Sequence, residues 1–261
     1  SLKYIIPQKK VSRPMTKTES DSRIAKRLAR AGVGSRRYCE GLVFAGKVMI
    51  NGVVTTNPAI KVNTSDRIKV NGKIIPNLQA TRIWRYHKPI GLVTTRKDEK
   101  NRSTIFDNLP TNLPYTMPIG RLDINSEGLL LLTNDGEFKR FLEHPATGMC
   151  RKYRIRVHGN PTPQKIKLLE KGIKVGTVQY APMIVKLDSQ LGANAWMTIV
   201  LREGKNREIR KTLAAVGMQV SRLIRINYGP FELGNLEKNQ VVEAIISNLT
   251  TTQFYANSLK I

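Results

Sequence analysis

In the stretch MPIGRLDINSEGLLLLTNDGEF, residues 117–138, an Arg-Leu-Asp triplet stands in a turn immediately before four consecutive leucines. An aspartate of ordinary pKa, about 3.9, is ionised near neutrality and can take up a proton or attack an electrophilic carbon. The competing reading of Asp123 is a turn aspartate that accepts amide hydrogen bonds from its own neighbours. Cations that could work beside it come from Arg121 in the same turn and from Lys205, Arg207, Arg210 and Lys211 in LREGKNREIRKTLAAVG, residues 201–217.

A reacting carboxylate has to be held in place, because a displacement of about 1 Å can cost about a hundredfold in rate. The run Leu129 to Leu132 is continuously apolar, which predicts a strand covered on both faces. Such a strand directly behind the turn would fix Asp123. Around it, KYRIRVHG, APMIVKLD, NAWMTIVLREG and RLIRINYGPFEL read as further strands, and TRIWRYHKPIGLVTT as strand, turn, strand. Helical patterns fall at 136–143, 163–171, 206–216 and 238–247. The result is a mixed α/β domain of the α+β kind on a largely antiparallel sheet. It is not a dinucleotide-binding fold, since neither Gly-x-Gly-x-x-Gly after a first strand nor Walker A is present.

Charge indicates the partner. Forty-four Lys and Arg against 19 Asp and Glu give a formal +25 and a pI near 10.4. Such a field attracts polyanions, with nucleic acid as the default. The apolar runs fall far short of the roughly 20 residues of a membrane span, so no membrane partner is expected. Cys39 and Cys150 form no CxxC pair and only three histidines accompany them. No metal site is therefore expected, and a reduced cytoplasmic setting fits better than a disulfide-stapled one.

The excess charge is uneven: residues 1–80 carry a net +12 and the other 181 residues a net +13. Residues 1–21 read as a flexible basic arm. From Ser22, Ile24, Leu28 and Ala31 share a helical face that ends at Gly32. Ser35 is an N-cap for a second helix, with Cys39, Leu42 and Val43 on its apolar side. Asn51-Gly52 and Asn71-Gly72 are hairpin turns. Arg27, Arg30, Arg36, Arg37 and Lys47 are the candidates for a phosphate-facing side. Pro76 and Asn77 open a linker, 76–81, ahead of a large domain, 82–250, and a tail, 251–261.

Residues 22–75, above all AGVGSRRYCEGLVFAGKVMINGVV, resemble an S4 RNA-binding domain, with Arg36 and Arg37 on that family's Ser-Arg-Arg pattern. The large domain resembles the pseudouridine synthases, in the branch of bacterial ribosomal enzymes with an S4 domain in front. Four stretches carry the likeness in order: YHKPIGLVTTRKDEKNRSTIFDNLP, PIGRLDINSEGLLLLTNDGEF, RKYRIRV and LREGKNREIRKTLAAVG.

The resemblance implies roles residue by residue. Asp123 falls on the catalytic aspartate, Tyr153 on the tyrosine that packs against the target uracil, and Arg210 on the basic residue that pairs with the aspartate. Arg121 falls on the arginine that holds the extracted nucleotide, and Leu201 on an apolar position near the base. Lys205 and Arg207 are candidate substrate contacts. It further implies a cofactor-free, metal-free isomerisation of uridine to pseudouridine by a monomer acting on ribosomal RNA or a pre-ribosomal particle. Glu208 stands where much of the wider family carries glutamine, which is more like the large-subunit enzymes; Ser126 stands where threonine is common. A small-subunit RNA target and a noncatalytic RNA-binding assembly factor are the alternatives.

Overall fold

The computed structural model describes Tyr4–Ile5 and residues 22–245. The expected tail, and the expected basic arm apart from the short strand Tyr4–Ile5, lie outside the described residues.

The N-terminal unit is built from local chemistry. Helix Ile24–Arg30 ends before Gly32, whose φ of 86° suits glycine. Helix Arg36–Phe44 begins at Ser35, whose side chain accepts a hydrogen bond from the Tyr38 amide at 3.1 Å. A four-stranded antiparallel sheet follows in the order Val53–Thr55, Val48–Ile50, Ile68–Val70, Lys73–Ile74. Asn51-Gly52 and Asn71-Gly72 both have positive φ at both residues, as tight hairpins matching the strand twist require. Ile24, Leu28, Cys39, Val43, Val48, Val62 and Ile68 close the core.

The larger unit is a mixed α/β domain on a bent, mostly antiparallel sheet. After Tyr4–Ile5 its strand order is Val241–Ala244, Ile83–Lys88, Glu127–Thr133, Gln219–Tyr228, Arg151–His158, Asn194–Leu201, Ile184–Leu191. Glu127–Gly128 meets Ile224–Arg225 in parallel. Every residue of Glu127–Thr133 is buried. Leu129 and Leu131 pack with Ile119, Leu142 and Tyr228, whereas Leu130 and Leu132 pack with Trp84, Tyr86 and Leu122. Each fully buried leucine contributes roughly 1.5–3 kcal/mol.

Gly128 lets this strand run close to its neighbour. Its φ is 108°, and a Cβ there would sit 2.3 Å from the Arg225 carbonyl oxygen.

Two helices occupy the expected spans, Gly136–Glu143 and Pro163–Lys171, and a third runs Glu208–Ala215. The expected helix at 238–247 is instead the strand Val241–Ala244, in antiparallel register with Ile83–Tyr86. Asn239, at φ 65°, breaks the helical path just before the two β-branched valines, and sheet pairing takes over. Arg82 clamps that edge by donating from Nε and Nη2 to the two Glu243 oxygens, at 2.7 and 2.6 Å.

The first helix docks on the larger unit, and this corrects two expected RNA contacts. Arg27 is buried and donates to the Pro76 carbonyl at 3.3 Å. Arg30 pairs with Asp135 at 3.2 Å and donates to Thr81 Oγ1 at 3.3 Å. Asp135 is the N-cap of helix Gly136–Glu143, so Arg30 serves the seam between the units, while Arg27 fastens the first helix to the start of the linker. Arg36, Arg37 and Lys47 remain exposed.

Candidate active site

The turn bearing Asp123 is fixed carbonyl by carbonyl. The Leu122 oxygen accepts from Thr94 Oγ1 at 2.8 Å, and the Ile124 oxygen from the Gly91 amide at 2.7 Å. The Asn125 oxygen accepts from Arg210 Nη2 at 2.8 Å. The Asp123 oxygen accepts from the Ser126 amide at 2.9 Å and from Lys88 Nζ at 3.1 Å. Lys88 Nζ also donates to the Ser126 oxygen at 2.8 Å and to the Pro89 oxygen at 3.0 Å. Every carbonyl from Leu122 to Ser126 thus has a donor, so the turn is not free to rearrange.

Lys88 is the residue that the sequence reading missed. It is wholly buried, and its three acceptors match the three protons of an ammonium. Burial pulls its pKa down to about 8, opposed by the negative charges of Asp123 and Glu127. A lysine followed by proline at the end of a strand that faces an apolar run is the signal that could have marked it. Glu127, buried one residue before Gly128, is a second omission. Its Oε1 accepts from Arg222 Nη2 at 2.6 Å and from Arg222 Nε at 3.1 Å.

The Asp123 carboxylate itself stays about one third exposed, with Oδ2 3.2 Å from Arg207 Nη1. The ion pair expected from Arg210 is therefore made by Arg207. Arg207 sits in the left-handed region at φ 51°, as the N-cap of helix Glu208–Ala215. That conformation swings its side chain over the turn. Arg210, one helical turn on, reaches the Asn125 main chain and donates to the Val220 carbonyl at 3.4 Å. Burial and the like charge of Arg207 lower its pKa, and Asp123 opposes them.

Tyr153 is buried in one cluster with Leu201 and Ile209, the residue directly before Arg210. Its strand puts it in register with Ile199 on one side and Arg225 on the other. Lys205 is exposed but engaged: its ammonium donates to Glu203 Oε2 and to the Gln179 carbonyl, both at 2.7 Å. Arg121 is exposed, following Gly120, whose amide is held by Glu143 Oε1 at 2.7 Å. The site thus sets a part-exposed carboxylate beside Arg207, with Arg210 on the same turn's main chain and Tyr153 in the apolar cluster that also holds Ile209. Among the described residues no group of three or more His, Cys, Asp or Glu stands where it could hold a metal ion.

The family model for RNA pseudouridylate synthase matches residues 82–215, and that for the S4 domain matches 22–68. An uncharacterized RNA pseudouridine synthase of Rickettsia prowazekii is 46% identical over 226 residues, which cover 87% of this chain and 94% of the relative. Ribosomal large subunit pseudouridine synthase B of Salmonella typhi is 38% identical over 217 residues, covering 81% and 75%. A pseudouridylate synthase crystal structure shares the fold, with a TM-score of 0.59 at 21% identity over 90% of this chain and 99% of that one.

An S4 unit joined to a pseudouridylate synthase domain on a mixed sheet, in which a strand-end lysine, the loop after it and a helix arginine hold the aspartate turn, is the frame of an RNA-modifying enzyme. The chain belongs to the RNA pseudouridylate synthase family, and its activity is that of an isomerase.

Proposed function

We propose that the enzyme converts uridine to pseudouridine in ribosomal RNA, that its target lies in the large subunit, and that Asp123 is its catalytic carboxylate. The observation that carries the reading is the Asp123 turn, in which every main-chain carbonyl from Leu122 to Ser126 has a donor while the carboxylate stays open beside Arg207. The choice of subunit is supported by the 38% identity to the large subunit synthase of Salmonella typhi.

The reaction breaks C1′–N1, turns the uracil and forms C1′–C5. The C5 hydrogen leaves as a proton and N1 gains one, so there is no net redox change. Asp123 either attacks C1′ and is displaced by C5, or takes the 2′ proton and returns it. Either role needs a correctly placed carboxylate, which the Arg207 hydrogen bond orients. Tyr153 offers the detached base a flat face, and its hydroxyl can relay the C5 proton. The target must leave its stack to arrive there, at a cost of a few kcal/mol. Contacts to Arg36, Arg37 and Lys47 offset part of that cost.

The test is tritium release from 5-tritiated uridine in large-subunit and small-subunit RNA fragments, with base-resolution mapping of the product. Release from a single large-subunit position is expected. Modification confined to the small-subunit fragment overturns the choice of subunit, and release from neither overturns the reading.

A further inference from the structure

Helix Glu208–Ala215 starts on a buried carboxyl that the chemistry above does not use. Glu208 is only 3% exposed. Its Oε2 accepts from the Lys205 amide at 3.0 Å, whereas its Oε1 receives no N–H or hydroxyl donor. Lys205 ties the two side chains together, its amide donating to Glu208 and its ammonium to Glu203, and each carboxyl shifts the other's pKa, so the two face each other in one small contact. Glu203 is already satisfied as an anion, since Oε1 accepts from the Ala181 amide at 2.8 Å and Oε2 from Lys205 Nζ at 2.7 Å. Two carboxylates cannot share such a contact, because one of them must supply a proton.

We propose that Glu203 and Glu208 share one proton, resident on Glu208, and that this hydrogen bond closes the 203–208 loop so that Arg207 is placed against Asp123. Glu208 is a positioning residue: it acts through Arg207, its immediate neighbour, and touches no reacting atom. The inference rests on the reading of Asp123 as the catalytic carboxylate.

The charges around the pair are consistent with this assignment. Burial and then Glu203 push Glu208 up to about 7, against the Lys205 amide and charge. Lys205 and the Ala181 amide hold Glu203 below the ordinary carboxylate value against burial. The other ionisable groups on the helix and on the strands packed against it are Arg210, Lys211, Lys174, Arg222, Arg225 and Tyr228, with Tyr180 under Lys205 and Arg151 beside Gly204. None of these is a carboxylate that could take the proton.

The consequence is a dependence on pH with a definite sign. Glu208 has a folded pKa above its unfolded one, so its contribution to stability is full below the unfolded value and is lost as pH rises through about 7. Loss of the proton leaves two facing carboxylates in a buried site, which opens the loop and withdraws Arg207.

The test is the pH profile of kcat by tritium release from pH 5.5 to 9.5, for the wild type and Glu208→Gln. It is paired with a carbon-13 NMR titration of the glutamate side-chain carboxyls in the full chain. A glutamine amide donates to Glu203 at every pH. The wild type is expected to lose up to about tenfold in kcat between pH 7 and 8, with KM little changed. Glu208→Gln is expected to lack that limb and to keep near wild-type kcat at pH 6.5. The NMR titration is expected to show a glutamate carboxyl that ionises near pH 7 in the wild type and is missing from the variant. The same descending limb near pH 7 in Glu208→Gln overturns the proposal. So does a wild type whose glutamates all ionise below about pH 5. The NMR arm needs no turnover and no variant, so it decides the proton's place even if the RNA substrate is wrong or the variant fails to fold.

Discussion

The Lys88 ammonium sits 3.1 Å from the main-chain oxygen of Asp123 and grips the carbonyl of Ser126 as well, so one buried cation pins both ends of the proposed catalytic turn. It leaves the Asp123 carboxylate free for Arg207 and for substrate. Replacing Lys88 with methionine keeps most of the volume and removes all three donors. Stability is expected to fall by about 1–3 kcal/mol, since the unmet carbonyls are partly offset by relief of a buried charge. Activity is expected to fall much further, by about a hundredfold, through misplacement of Asp123. Urea denaturation and tritium release on the same preparation check this. A stable variant with near-normal turnover would refute the positioning role.

Lys88 also predicts that activity and stability part company at alkaline pH. Its folded pKa, about 8, lies below the ordinary lysine value. The unfolded chain therefore binds the proton more tightly, and the contribution of Lys88 to stability rises as pH climbs from about 8 to 10.5. Over the same range the neutral amine loses its third donor and the turn loosens. In the Glu208→Gln background, which removes the limb near pH 7, a decline in kcat centred near pH 8 is expected without a matching loss in urea midpoint. A kcat that stays level to pH 9.5 contradicts it.

Arg207 and Arg210 should separate cleanly on mutation. The Arg207–Asp123 pair is half-exposed, so Arg207→Met is expected to cost under about 1 kcal/mol of stability. It should nevertheless lower kcat by at least about tenfold if the pair orients the carboxylate. Arg210→Met strips donors from the Asn125 and Val220 carbonyls and is expected to cost about 1–3 kcal/mol as well as activity. Equal stability losses in the two variants would show that the division of labour is wrong.

A salt series on RNA binding distinguishes surface arginines from those of the first helix. Replacing Arg36, Arg37 and Lys47 with glutamine is expected to weaken binding and to flatten the slope of log affinity against log salt. The change should be about 0.9 per lost phosphate contact if the duplex DNA relation carries over. Arg27→Gln and Arg30→Gln are expected to lower the unfolding midpoint and leave that slope alone. The opposite assignment of effects would return Arg27 and Arg30 to the RNA face.

Much of the fold was legible because local chemistry decided it. The Ser35 cap, the two Asn-Gly hairpins and the doubly buried leucine strand each follow from a few adjacent residues. The strand at Val241–Ala244 was not legible, because its pairing partner Ile83–Tyr86 is far away in sequence and overrode a pattern that also suited a helix. Arg27 could have been placed correctly, since it lies three residues from Ile24 and next to Leu28, on the buried face. In the site, the motifs single out Asp123 and Tyr153 as candidates, whereas they do not tell whether Arg207 or Arg210 pairs with the carboxylate. The two lie one helical turn apart, and the left-handed backbone at Arg207 decides which one reaches the carboxylate. Lys88 was hidden because its partners are main-chain oxygens, which no side-chain pattern reveals.

The most direct measurement is turnover by Asp123→Asn. The amide keeps the shape of the side chain and leaves the six hydrogen bonds to the turn's five carbonyls intact, but it removes the charge and the ability to take a proton. Tritium release from 5-tritiated uridine RNA, measured beside RNA affinity and the urea midpoint, gives the answer. Expected are wild-type folding, RNA affinity within about threefold, and no detectable pseudouridine. Substantial turnover by a folded Asp123→Asn enzyme would contradict the catalytic role of Asp123.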